Sequence, residues 1–184
     1  RNCFLQKLIP LLEEKGISIK NYDALTEYQK KVSDTFFQKQ IYPILTPLAV
    51  DESHPFPFIS NQSLSFAVEL LNKKTKDKHF ARIKIPSNRP RFIKVHRRGN
   101  RIVLIPIEDL IKSKIDAFFP GMKVLSANLF RVTRNASVER NEEEADDLIE
   151  VIEDELRERK FAEIVRIEID EKMPKQSKKY IMQH

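Results

Sequence analysis

The spacing of apolar residues changes period along the chain, and each change marks an element. Residues 2–15 carry Phe4, Leu5, Leu8 and Leu12 on a helical stripe that Pro10 interrupts and Gly16 closes, at a usual C-terminal cap position. Pro10 is expected to kink this helix, because it has no N–H for the hydrogen-bond ladder. A second helix is predicted from Ala24 to Ile41, with Leu25, Tyr28, Val32, Phe36 and Phe37 on one face, ending before Pro43. From residue 44 the period falls to two, which predicts strands at about 44–50, 63–71, 79–86, 91–97 and 101–105. The last two are joined by a hairpin turn at Arg98-Gly99-Asn100. Pro106 then stands where a first helical residue belongs, and Ile107, Leu110, Ile111, Ile115 and Phe118 trace a helical stripe to Pro120-Gly121. A long strand at about 123–134 follows. A helix is predicted from Asn141, with Glu144 in a near variant of the capping box and Ala145, Leu148, Ile149, Ile152 and Leu156 on its inner face. Val165, Ile167 and Ile169 form a closing strand. Helices and strands that alternate only partly, with hairpins between them, predict an α+β fold: a mixed, largely antiparallel sheet packed with helices, preceded by a short helical segment.

The stretch Thr46-Pro-Leu-Ala-Val-Asp-Glu-Ser-His-Pro-Phe-Pro-Phe58 stiffens the chain before the second strand. His54 and Phe56 each precede a proline and are held in extended geometry. Extended residues two apart point the same way, so Phe56 and Phe58 are expected to present their rings to one surface. Beyond them Leu64, Phe66, Val68 and Leu70 alternate with Ser65, Ala67 and Glu69, the pattern of a half-buried strand.

This segment closely resembles the start of the middle, or head, domain of polyphosphate kinase, the bacterial enzyme that builds inorganic polyphosphate from ATP. Further blocks resemble the same family in order: Ala81-Arg-Ile-Lys-Ile-Pro86 with Pro90-Arg-Phe-Ile93, Leu104-Ile-Pro-Ile-Glu-Asp-Leu-Ile111 with Phe118-Phe-Pro-Gly121, and Phe130-Arg-Val-Thr-Arg-Asn-Ala136. The acidic helix and Val165-Arg-Ile-Glu-Ile-Asp170 with Met173-Pro174 complete the series. His54, Pro55, Phe56, Pro57, Phe58 and Asn61 are the structural residues of the first block. The resemblance implies a phosphohistidine intermediate, with ATP and Mg²⁺ required by the full-length enzyme, in catalytic domains beyond this segment. For the segment itself it implies no catalytic residue, no metal ligand and no cofactor, and a role in dimer assembly and active-site architecture.

Arg1 is not an initiator Met, and the opening stripe reads as the tail of an upstream helical domain, assigned to residues 1–22. Residues 23–184 are assigned to the head domain, and the polar run after Pro174 reads as the start of a helix, so both ends look cut. A single cysteine, Cys3, excludes an internal disulfide framework and suits a reducing compartment. No apolar run reaches the length of a membrane span, and the cytoplasm is the expected location. The three glycines, Gly16, Gly99 and Gly121, are isolated, so no Walker-type or GxGxxG phosphate loop can be written. His54, His79, His96 and His184 stand far apart and form no paired-ligand motif. Asp51, Ser53 and His54 have the residue types of a nucleophilic triad, but crowded into one stiff loop they cannot be aligned.

Charge is segregated. Residues 139–158 hold eleven acids against Arg140 and Arg157, which reads as a solvated helix face with its acids near the N-terminus. Residues 73–101 hold twelve Lys and Arg against Asp77 alone, an excess larger than the whole-chain net charge of +6. Such a cluster can attract phosphate polymers, or it can be the wet side of an edge hairpin, where lysine discourages aggregation. Candidate polyanion contacts are Arg82, Lys84, Arg89, Arg91, Arg97 and Arg98, with Arg131 and Arg134 from the Phe-Arg-Val-Thr-Arg-Asn block. Arg131 is expected to reach solvent or an acidic neighbour, and Arg134 to tie a loop carboxylate. The expected partners are a second copy of the chain and inorganic polyphosphate. The alternative is a non-catalytic module for nucleic acid or another polyanion; single-strand binding needs aromatic platforms among the cations, and only Phe80 and Phe92 qualify.

Overall fold

The computed structural model describes residues 2–50, 56–135 and 161–182. Their elements form two units, one from residues 1–47 and 85–124, the other from residues 48–84 and 125–184. The predicted acidic helix lies outside the described residues.

In the first unit a π-helical turn, Phe4–Leu8, runs into helix α1, Ile9–Glu14. Pro10 stands in the first turn of α1, so the expected disturbance takes the form of a widened turn just upstream, where a missing proline N–H interrupts the ordinary ladder. Contrary to a buried stripe, Phe4, Leu5, Leu8 and Leu11 are all exposed. Gly16 ends α1 at φ +81°, and a Cβ there would lie 2.9 Å from the Asn100 carbonyl oxygen. Its own carbonyl accepts a bond from Ile102 N–H at 2.8 Å. The chain turns at once into strand β1, Ile17–Ile19, parallel to β6, Arg101–Pro106.

Thr26 caps helix α2, Glu27–Phe36, through a reciprocal box with Gln29. The α2 ladder widens into a π-helical stretch, Phe37–Ile41. Its buried positions are Leu25, Gln29, Ser33, Phe37 and Ile41, spaced by four. Residues four apart advance about 40° beyond a full α-helical turn, and the wider final turn keeps Ile41 on the buried side. Tyr28, expected inside, is 65% exposed. Strand β5, Phe92–Arg98, pairs antiparallel with β6, with a bulge between Lys94 and His96. Pro106 closes β6 and caps helix α3, Ile107–Ser113, rather than starting it. The core of this unit is made of Leu25, Phe37, Ile41, Ile93, Val95, Ile105, Ile107, Leu110, Ile111 and Ile115.

The second unit carries a five-stranded sheet in the order β2, β4, β3, β7, β8. These strands are β2 at Pro47–Val50, β3 at Leu64–Asn72, β4 at Lys78–Lys84, β7 at Met122–Arg134 and β8 at Ile164–Ile169. β3 and β4 are antiparallel, with Ala67 opposite Arg82 and Ser65 opposite Lys84; β7 and β8 are antiparallel as well. The fold is therefore α+β with largely antiparallel sheets, as the sequence predicts. Two details differ. β3 is buried on both faces, since Ser65 and Ala67 are as inaccessible as Phe66 and Val68. And β4 lies between β2 and β3, so the basic β3–β4 hairpin is not an edge. Helix α4, Lys175–Met182, follows Pro174 and contributes Ile181 to a core with Val50, Ile59, Ala67, Phe80, Phe130, Val132 and Met173.

Candidate functional site

The loop from Phe56 to Ser63 connects the stiff segment to β3 and is where two candidate arginines of the second unit, Arg82 and Arg134, converge. Phe56 packs against Phe80 and Tyr180, each with ring centroids 6.0 Å away. Phe58 instead is 39% exposed, lies 5.2 Å from the Phe161 ring, and carries the Arg134 guanidinium 4.6 Å above its centroid. The two rings thus enter different surroundings, against the expectation of one shared surface. The cause is the tie on the residues that follow. Arg134 Nε donates to the Ile59 carbonyl at 3.1 Å and Nη1 to the Ala162 carbonyl at 2.6 Å, while its backbone N–H donates to Asn61 Oδ1 at 2.9 Å. Arg134 therefore clamps the loop through carbonyls and a ring, where the sequence suggests a carboxylate.

Arg82, on β4, holds the neighbouring carbonyl. Nη1 donates to Phe58 O at 2.8 Å and Nε to Ser65 Oγ at 3.2 Å. The residue is 3% exposed, and Nη2 has neither solvent nor an acceptor. Burial holds its pKa below the usual arginine value, because the charged form loses hydration. Two residues on, the exposed Lys84 Nζ donates to Ser60 Oγ at 3.2 Å. His54 and Pro55 lie outside the described residues, and Pro57 is half-buried in the loop.

The other candidates are spread elsewhere. Arg131 pairs with Glu168, its cross-strand partner on β8, at 2.5 Å, and Arg166 joins the same carboxylate at 2.9 Å. In the first unit Arg91 pairs with Glu108 at 2.9 Å, and Arg89 donates to the Gln40 carbonyl at 3.2 Å. Arg97 donates to the Gly99 carbonyl at 3.5 Å, and Arg98 faces Arg101 across the hairpin end, all three arginines exposed. The basic segment is thus divided between structural ties and an exposed hairpin tip, and its residues fall in both units. Of the aromatic platforms, Phe80 is buried and Phe92 is 38% exposed.

Two groupings escape the sequence pattern. Lys114 Nζ donates to Asp34 and to Tyr22 Oη, both at 2.8 Å, and Tyr22 donates to Asp34 at 2.8 Å. Burial lowers the Lys114 pKa, but the bonds to Asp34 and Tyr22 outweigh it and raise the net value. Asp109 has its pKa raised, first by burial and then by Glu108 beside it. Tyr22, Asp34 and Lys114 stand twelve or more positions apart, so no local motif announces that grouping. Among the described residues no cluster of His, Cys, Asp or Glu could hold a metal ion. Mg²⁺ is usually held by one or two carboxylates together with waters and substrate phosphates, and no acidic cluster stands among the described residues to anchor it. No helix among the described residues is long and apolar enough to cross a membrane.

Residues 28–184 match the family model for the polyphosphate kinase middle domain. A polyphosphate kinase of Aphanizomenon baltica is 41% identical over 189 aligned residues, covering 98% of this chain and 49% of that protein. One from Mycolicibacterium gilvum (strain PYR-GCK) is 38% identical, covering 94% of this chain and 24% of the relative. The crystal structure of polyphosphate kinase from Porphyromonas gingivalis superposes with a TM-score of 0.77 at 25% identity, over 98% of this chain and 25% of that one. The chain therefore spans about a quarter to about a half of the relatives' length. Since the match runs through the loop, both arginine ties and the strands that carry them, the chain belongs to the polyphosphate kinase family and corresponds to its middle domain.

Proposed function

We propose that the chain is the head-domain part of an enzyme that transfers the terminal phosphate of ATP to inorganic polyphosphate through a phosphohistidine. The observation that carries this reading is the family match over residues 28–184. In this reading residues 23–184 are the head domain and residues 1–22 end an upstream helical one. The reacting histidine, ATP and Mg²⁺ belong to other parts of the enzyme, and this segment serves assembly into a dimer or larger oligomer and the architecture around the active site. Local chemistry supports an architectural role: Arg82 and Arg134, from two family blocks, are used to hold the carbonyls of a third. Exposed Lys and Arg in both units also support a positive field that draws polyphosphate toward the enzyme.

The test uses the full-length protein and this chain side by side, with labelled ATP and Mg²⁺. The full-length protein should acquire acid-labile label and make polyphosphate, and this chain should do neither. Stable label on His54, His79 or His96 of this chain would overturn the assignment of chemistry elsewhere. Light scattering checks assembly: a full-length protein that stays monomeric at working concentration removes that role.

A further inference from the structure

The exposed end of β4 gathers hydrogen-bond donors with no matching acid among the described residues. Phe80, Arg82 and Lys84 alternate along the strand and so share one face. Arg82 is a buried cation whose charge loses hydration, and no carboxylate among the described residues pairs with it. Glu69, which stands opposite Phe80 on β3, is taken by the Ser177 hydroxyl. A buried charge without a counter-charge is costly, and an apolar side chain could fill the same space. The bonds to the Phe58 carbonyl and Ser65 use Nη1 and Nε and leave Nη2 as a charged donor with no acceptor. Lys84 brings a second cation to the same face and opens it to solvent. Ser60 Oγ accepts from Lys84 and donates to none of the described residues, so its O–H is a further donor. Arg134 occupies the Ile59 carbonyl and Arg82 the Phe58 carbonyl, which withdraws those acceptors from the cluster. What remains is the Nη2 edge of a planar fork, an ammonium and a hydroxyl: a set of donors that complements an oxyanion and repels a cation.

We propose that Arg82, Lys84 and Ser60 form a binding site for a phosphoryl oxyanion, and that its occupant is a phosphate of an inorganic polyphosphate chain. The choice of polyphosphate over free phosphate rests on the function proposed above. An oxyanion seated there takes the place of the Lys84 to Ser60 bond, pairs with both cations and gives Arg82 Nη2 the acceptor it lacks. Binding exchanges ions and breaks no covalent bond.

Titration calorimetry on the 184-residue chain, with tripolyphosphate and with orthophosphate, tests the site. Tripolyphosphate should bind more tightly than orthophosphate, and Lys84→Gln, Ser60→Ala and Arg82→Lys should each weaken it, the two charge-site changes by tenfold or more. Lys73→Gln, in the distant β3–β4 turn, should change affinity less than twofold. Circular dichroism confirms folding, and Lys84→Gln, at an exposed position, carries the test should Arg82→Lys unfold the chain. The site is refuted if tripolyphosphate fails to bind the parent chain, or if Lys73→Gln weakens it as much as Lys84→Gln does, since that means diffuse attraction. Orthophosphate binding more tightly than tripolyphosphate overturns the choice of occupant. The functional reading stands or falls separately, on whether the full-length parent protein makes polyphosphate from ATP.

Discussion

Arg134→Met isolates the clamp on the loop before β3. Methionine keeps most of the alkyl packing and removes the guanidinium, which donates to the Ile59 and Ala162 carbonyls and covers the Phe58 ring. Hydrogen bonds from a charged donor contribute about 1.5–3 kcal/mol each when their partners are left unsatisfied. Arg134 is only half-buried, so water can reach the released carbonyls, and the pair together is worth about 2 kcal/mol by that measure. The cation over Phe58 adds about 0.5–1 kcal/mol. The backbone bond from Arg134 N–H to Asn61 survives the substitution and limits the damage. The expected loss is therefore about 2–3 kcal/mol by these terms, read as a fall in the urea midpoint with unchanged slope. A double-mutant cycle with Phe58→Leu should give a coupling of about 0.5–1 kcal/mol if the ring and the cation interact. A total loss under about 0.5 kcal/mol, the size of an ordinary surface change, would show that the clamp is incidental.

Phe130→Ala, in the core, should cost about 3–5 kcal/mol, and Phe58→Ala, at a ring 39% exposed, about half of that or less; equal midpoints in urea would refute the difference in burial. Asp109→Asn tests the raised carboxyl pKa: ionisation costs the folded state more than the unfolded one, so parent stability falls as pH climbs from 3.8 through the folded pKa. The variant should be the more stable at pH 7, with the gap closing below about pH 3; a gap equal at both pH values sinks the electrostatic explanation. Lys114 has a raised pKa, so its contribution is complete below 10.5 and disappears as pH rises through the folded value. Asp34→Asn should reduce thermal stability at pH 8 and flatten the alkaline loss, and an unaltered alkaline profile would exclude the Lys114 to Asp34 pair as its source.

Much of the architecture is written locally. Period-two alternation located β3 to β8 to within a few residues, because a strand's faces are fixed by side-chain parity. Pro10, Gly16, Pro43 and Gly121 marked the turns they make, because backbone freedom is a property of the single residue. Ordered family-like blocks led to the same family that the comparisons show. The tertiary structure decided what parity leaves open. Three-residue β1 is too short to carry a period and exists because β6 offers it partners. Tyr28 turned outward since the buried line of α2 follows Leu25, Gln29 and Ser33, whose polar members are satisfied by a capping box and a main-chain carbonyl. Above all, the basic run from Lys73 to Arg101 looks uniform as sequence, yet its members have different fates. Arg82 is buried with its fork on the Phe58 carbonyl and the Ser65 hydroxyl, Arg91 meets Glu108, and Lys84 reaches solvent. Charge is a property of the residue, but whether that charge is spent on a neighbour or left for a ligand depends on which distant groups the fold brings beside it.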